Sequence, residues 1–473
     1  MREPSPAHGV EERIHRRIGL ELEYPVVDAA TGLGMTRATA ERLWLTFAER
    51  SRSWSPYRES LTGAVTGVRR VTAGFPERVD TDTGICTVEV SLAPQDSIGA
   101  AVDAASAVVA DLHRSLEALG HTMLCTGMQP VTWCDPARKT QKDWYLLLTP
   151  RWRFHHWFVP SASHQVSIDV TASEAVRAVN VLCAFAGVFA ALTASSPIAR
   201  GQVQPWKEMR NWIWHERRQR ISLAEAAYTS NWMPAAPFAD TGAYVDYCWD
   251  STLFFITDLK SSGYALCGRP SFREFLMSDR PMSGRRPDRQ IVPVEAERGM
   301  LDRIHQYGWL AAKLHYGFAP DVQLDDVRGA LAGDGIGEFF EAHAVNCYVE
   351  NRTCGVAPLG EEGVGAALTL GVLERLTDAE ALLAALSWAQ WRQLWIDASR
   401  TGLSGHGGAI LEIMQTLVGL ARQGLRDRGM GEERYLDPVD DRLARLETPA
   451  DRMMLTFADG GLQRFIETYR RHC

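Results

Sequence analysis

The segment Gly19-Leu20-Glu21-Leu22-Glu23-Tyr24-Pro25 constrains this chain more than any other, because it alternates between apolar and acidic residues. Successive side chains of an extended strand point to opposite faces. Leu20, Leu22 and Tyr24 therefore seek a core, while Glu21 and Glu23 stand side by side on the other face, about 6–7 Å apart. Three later segments repeat the pattern: Thr87-Val88-Glu89-Val90-Ser91, Gln165-Val166-Ser167-Ile168-Asp169 and Tyr348-Val349-Glu350-Asn351-Arg352. One such segment alone reads as a half-solvated strand with its acids in water. Four of them, with an outward set dominated by Glu, Asp and Gln, point instead to a polar sheet face for metal and phosphate, since these are the hard oxygen ligands of Mg2+ and Mn2+.

The chain is long for one domain at 473 residues, yet no repeat, low-complexity run or long linker divides it. The expected organisation is a flexible lead-in over residues 1–17 and a single catalytic domain over 18–473, helical from about residue 360. A net charge of −8 argues against nucleic-acid or anionic-membrane partners. Nine cysteines without a CxxC pair suit reduced thiols in a cytoplasmic protein and disfavour a zinc site. The polar N-terminus has no apolar core of a secretory signal.

Helical periodicity predicts helices over Thr36–Arg50 and Ser97–Leu119, a buried apolar helix from a Thr171–Glu174 capping box to about Ala194, and long helices over Thr377–Arg400 and Ala409–Arg428. A strand is expected at His121–Gly127, a turn at Asp80–Gly84, an acidic loop at Ala319–Gly337, and a long ordered loop at Trp133–Pro160.

These strands resemble the metal-face strands of glutamate-cysteine ligases of the plant, proteobacterial and actinobacterial type. Further landmarks follow in the same order: Ala194-Ser-Ser-Pro197, Met209-Arg210-Asn211-Trp212-Ile213-Trp214, Tyr244-Val-Asp-Tyr247, Ser271-Phe-Arg-Glu-Phe-Leu276, Arg428-Gly-Met-Gly-Glu-Glu433 and Thr448-Pro-Ala-Asp451. The resemblance implies an α+β, glutamine-synthetase-like fold: a curved, mainly antiparallel sheet with helices packed on its convex face. It also implies ATP-dependent joining of a carboxylate to an amine through an acyl phosphate, with glutamate as donor, an amino-acid amine as acceptor, and ATP with Mg2+, or alternatively Mn2+, as cofactors. A phosphotransferase of the same fold and a non-catalytic binding homologue are the competing readings. A monomer or homodimer acting on small molecules is expected.

By the same resemblance Glu21, Glu23, Glu89 and Glu350 are metal ligands, with Gln165 where some relatives have His and Asp82 where some have another acid. Asp82 reads equally well as a turn residue, and Gln165 as an ordinary satisfied amide. Arg210 and Arg352 resemble the clamps for phosphate or carboxylate, expected on opposite sides of the reaction centre; a salt bridge is the alternative for Arg352. Trp214 reads as core or as a stacking platform. There are two departures from the family pattern, Thr353-Cys354-Gly355 and the Lys139–Trp152 loop; one or both are expected to line the amino-acid pocket, with a preferred acceptor that is not simply cysteine.

Overall fold

The computed structural model describes residues 14–150, 155–220, 232–251, 255–257, 263–302 and 309–471, so most of the expected lead-in lies outside the described residues. Nine strands form the principal sheet: β1 (Ile18–Asp28), β2 (Ser55–Arg58), β3 (Val65–Thr72), β4 (Phe75–Thr81), β5 (Thr87–Ser91), β6 (His121–Met123), β7 (His164–Asp169), β8 (Ala312–Phe318) and β9 (Ala344–Asn351). Their order is β8-β9-β7-β1-β5-β4-β3-β2, with β6 paired to the far end of β1 at Val26–Asp28. Every pairing is antiparallel.

The alternation in β1 is realised as read. Leu20, Leu22 and Tyr24 are buried with Val88, Val90, Val166, Ile168 and Val349 on one face of the sheet. Helix Ile98–Glu117 packs on β1 and β6, Ala175–Ala184 on β8 and β9, and Val364–Glu374 on β7. Side-chain caps start two helices where expected: Thr36 accepts from the Thr39 amide and Ser97 from the Ala100 amide.

Several boundaries differ from the sequence reading. The helix expected up to Ala194 is two, Ala175–Ala184 and Ala186–Thr193, bent by 52°. A Cβ added at Gly187 would lie 2.7 Å from the Trp395 amide nitrogen, so this helix meets Trp388–Thr401 backbone to backbone. Thr377–Arg400 is also two helices, Leu376–Leu383 and Trp388–Thr401, because Ser387 and Gln390 form a reciprocal capping box that starts a new helix. The acidic "loop" at 319–337 contains the helix Leu324–Ala332, started by a Gln323–Asp326 box, and Ile336–His343 begins within it. The expected strand at His121–Gly127 is only the three residues of β6.

The chain returns to its start near residue 470. The Arg471 amide donates to the Met123 carbonyl at 2.8 Å, and its guanidinium reaches the Tyr24 hydroxyl at 3.2 Å and the Glu362 carboxylate. The eight described cysteines are all free thiols. No single described helix is long and apolar enough to cross a membrane; the bent pair at 175–193 meets the criterion only jointly, and it is buried.

Candidate metal and phosphate face

Residues paired directly across an antiparallel ladder share a face, so the register assembles the site row by row. Glu23, Glu89, Asp80 and Gly67 form one row across β1, β5, β4 and β3. Glu21, Ser91, Arg78 and Arg69 form the next. On the other side of β1, Glu21 faces Gln165, while Ser167, Glu350 and Lys313 line up across β7, β9 and β8, followed by Asp169, Tyr348 and His315. All of these belong to the face opposite the apolar core.

Glu21, Glu23 and Glu89 each offer a carboxylate oxygen within 4.8 Å of the others. Gln165 donates its amide to Glu21 and, at 3.1 Å, to Glu23. Its own carbonyl oxygen is buried without a hydrogen-bond partner among the described residues. The amide NH2 thus lies where two carboxylates converge, and rotating it would turn the orphaned oxygen toward the same point. Glu23 is further held by the Ser163 amide at 2.6 Å and hydroxyl at 3.2 Å. Asp82 follows β4 and lies near enough to Glu23 to raise its pKa.

The acids differ sharply in their counter-charge. Burial, with repulsion from Glu89 and Glu350, pushes Glu21 well above the usual carboxylate range. Burial and Asp82 push Glu23 up to about 8. Asp82 is likewise raised, by burial and by Glu89. At Glu89 the burial effect is outweighed by Arg78, 2.7 Å away, and by Lys142, so its pKa falls below the ordinary value. Glu350 is also lowered, because Arg352, His315 at 2.7 Å and Lys313 together outweigh burial. A group of three convergent carboxylates, two of them short of positive charge, plus an orphaned amide oxygen, fits a hard divalent cation.

Glu350 shares the polar face but is not part of the convergent trio; its carboxylate is bonded by Arg352 and His315. Arg210 and Arg352 are neighbours rather than opposite walls, since Arg210 Nη1 donates to the Arg352 carbonyl at 2.7 Å. Arg210 also lies over the Trp232 ring, 5.2 Å from its centroid, and Arg352 Nε is buried with no partner among the described residues. Trp214 stacks on Trp232 at 4.7 Å and is buried, which agrees with its reading as core.

A cleft of about 900 Å³ opens beside Glu21 and runs over Arg17, Arg69, Arg78, Tyr57, Phe75 and Tyr348. The 139–150 part of the divergent loop lines it through Lys142 and Trp144; residues 151 and 152 lie outside the described residues. The Thr353-Cys354-Gly355 turn does not line it. That turn is buried, with Thr353 bonded to Asn351 and the Gly355 amide donating to Thr193 Oγ1, and a Cβ on Gly355 would lie 2.3 Å from the Thr193 carbonyl oxygen. Its departure from the family pattern is therefore a packing feature. Sequence reasoning missed Arg78, Asp80, Lys142, Lys313 and His315. Arg78 and Asp80 were within reach, since with Asp82 they keep the period-two spacing, but Asp80 is the last-but-one residue of β4 and reads like the start of a turn.

Residues 17–239 match the family model of glutamate-cysteine ligase family 2. The family whose model matches is thus the one that the strand motifs resemble, and the match supports an ATP-dependent ligase that joins carbon to nitrogen. Glutamate-cysteine ligase from Francisella tularensis, solved in complex with AMP, is similar in structure with a TM-score of 0.51 at 13% identity, over 96% of this chain and 87% of that one. A bifunctional glutathione synthetase from Pasteurella multocida aligns with 96% of this chain and 51% of its own, at 10% identity and a TM-score of 0.47. No curated protein matches significantly. At such identities the structural likeness shows the fold alone, and the fold is the expected glutamine-synthetase-like α+β sheet with helices on its convex face.

Proposed function

We propose that this family-2 ligase activates the side-chain carboxylate of glutamate with ATP and joins it to an amino-acid amine, forming a γ-glutamyl amide. The observation that carries the reading is the set of three carboxylate ligand atoms within 4.8 Å of one another on a sheet face that borders a cleft of about 900 Å³. A carboxylate is a poor acyl donor, so its oxygen must first attack the terminal phosphorus of ATP, breaking the bond to ADP and giving an acyl phosphate. The amine then attacks the acyl carbon, loses a proton, and phosphate leaves.

In this reading Glu21, Glu23 and Glu89, with Gln165 and Asp82 beside them, hold divalent cations, Mg2+ or Mn2+. Bound there, the cations would offset the negative charge of donor and triphosphate. Arg352, whose buried Nε has no partner among the described residues, and Arg210 grip the transferred phosphoryl and a substrate carboxylate. Glu350 orients Arg352 and would reach a cation only by giving up one of its present bonds. The cleft, lined by Arg17, Arg69 and Arg78 and by Tyr57, Phe75 and Tyr348, has the size for a nucleotide and, in its arginines, groups for the phosphates. Residues 18–473 act as one catalytic unit.

Full-length protein incubated with ATP, glutamate and Mg2+ against a panel of amines tests the reading. Amine-dependent release of ADP and phosphate, with a γ-glutamyl amide in the mass spectrum, is expected. Phosphate retained on a substrate, or no ATP turnover with any amine, would overturn it.

A further inference from the structure

We infer that Lys142 is a built-in cation of the carboxylate face: it occupies the Asp80 end of the site in place of a divalent ion, and so confines metal to the Glu21–Glu23–Glu89 centre. The inference rests on the reading of that face as a metal site. Lys142 is one of only five lysines in the chain. It is buried, and its Nζ lies 3.1 Å from Asp80 Oδ2. The charges facing it are Asp80, Glu89, Asp82 and Arg78, drawn from β4, β5 and the turn between them.

Its presentation is rigid. Gln141 accepts the Thr62 hydroxyl through its carbonyl at 2.9 Å, and the Asp143 carboxylate accepts from Ser60 Oγ at 2.7 Å, the Leu61 amide at 3.0 Å and the Thr62 amide at 3.1 Å. The Asp143 amide donates to Glu59 at 2.9 Å, and Glu59 also accepts from Thr66 Oγ1 at 2.9 Å. Lys142 is thus fixed by bonds on both of its neighbours, an arrangement that a solvated lysine does not require.

Asp80 is shaped to receive a ligand. Its carboxylate is buried, and its second oxygen, Oδ1, has no hydrogen-bond partner among the described residues. It lies over bare backbone, since a Cβ at Gly67 would come within 2.3 Å of the Asp80 Cβ. Asp80, Asp82 and Glu89 carry three negative charges against Lys142 and the half-exposed Arg78. Without the ammonium, two negative charges would remain uncompensated around an oxygen already short of a partner, which is the condition that attracts a divalent ion.

The test is the number of Mn2+ ions bound per chain, counted by electron paramagnetic resonance titration of the full-length protein, with circular dichroism as the check on folding. Lys142→Gln and Lys142→Met are expected to bind one ion more than the parent, Lys142→Arg the same number, and Lys142→Met combined with Asp80→Asn to lose the added ion again. Asp80→Asn alone is expected to keep the parent count. An unchanged or lower count in folded Lys142→Gln would overturn the inference while leaving the ligase reading in place. Should neither neutral variant fold, loss of an ion in Asp80→Asn would still overturn it, because Asp80 would then be a ligand in the parent. A parent that binds no Mn2+ at all would overturn both.

Discussion

Glu23 and Glu350 are buried carboxylates on the same face of one sheet, yet they are held in opposite states. Glu350 is bonded by Arg352 and His315 with Lys313 close by, and its pKa lies below the ordinary value despite burial. Glu23 has amide and hydroxyl donors and a more distant Arg210, but its near neighbours are acids, and its pKa is pushed up to about 8 by burial and Asp82. The protein supplies its own cations at the flanks of the face and withholds them at its centre. The difference separates acids neutralised by the protein's own cations from acids left short of positive charge, the set proposed above to hold a metal.

Substituting Glu23 is the most severe way to break this contrast. Glu23→Gln is expected to lower kcat by at least about a thousandfold, roughly 4 kcal/mol in transition-state terms, while the metal-free protein melts no lower than the parent. A clear drop in its melting temperature would show that Glu23 is a structural acid like Glu350. The reverse holds at the flank: Glu350→Gln strands Arg352, Lys313 and His315, and denaturant titration should show a loss of about 3 kcal/mol of folding free energy. Unchanged stability there would erase the distinction.

Arg352→Lys sharpens the comparison by keeping charge and removing the planar fork, and steady-state assays should show a fall of roughly a hundredfold in kcat, about 2.7 kcal/mol. The smallest expected effect is on pH dependence without metal. Between an ordinary carboxylate pKa near 4.5 and the folded value of about 8, native Glu23 binds more protons than the unfolded chain, so this group makes stability fall as pH rises through that window. Divalent cation should flatten the slope, whereas Glu350 contributes stability at neutral pH that is lost only as pH falls below the ordinary carboxylate range. Thermal melts from about pH 5 to 8 with and without Mg2+ check the sign for Glu23, and melts extended below about pH 4.5 check it for Glu350.

The central strands were legible because one-sided burial forces a period of two. Leu20, Leu22 and Tyr24 declare the core face of β1, and Glu21 and Glu23 follow onto the other. The helix starts at Thr36 and Ser97 were legible for a similarly local reason. Ser387 and Gln390 carried a capping-box signal as well, but the continuous apolar pattern on either side hid the break. Lys142 could not be found, since its loop has no period and its partner Asp80 is 62 positions away by the numbering, a contact that only the assembled sheet creates. Buried Thr353-Cys354-Gly355 shows the opposite error: a local departure from a family pattern reads as specificity when packing against Thr193 explains it.

The stitch between Arg471, Tyr24 and Glu362 bears on how the molecule assembles. The strand that carries Glu21 and Glu23 takes its neighbours from β5, β6 and β7, and its Tyr24 from a guanidinium more than four hundred residues later. Such non-local topology is slow to form, because loop closure precedes the contacts that reward it. Folding intermediates with residues 14–150 in place but the later strands undocked would lack Gln165 and the Ser163 bonds to Glu23. Tight cation capture therefore reports late maturation of the chain, and the rate at which refolding protein gains metal affinity should follow the docking of its distal segments rather than the formation of its first helices.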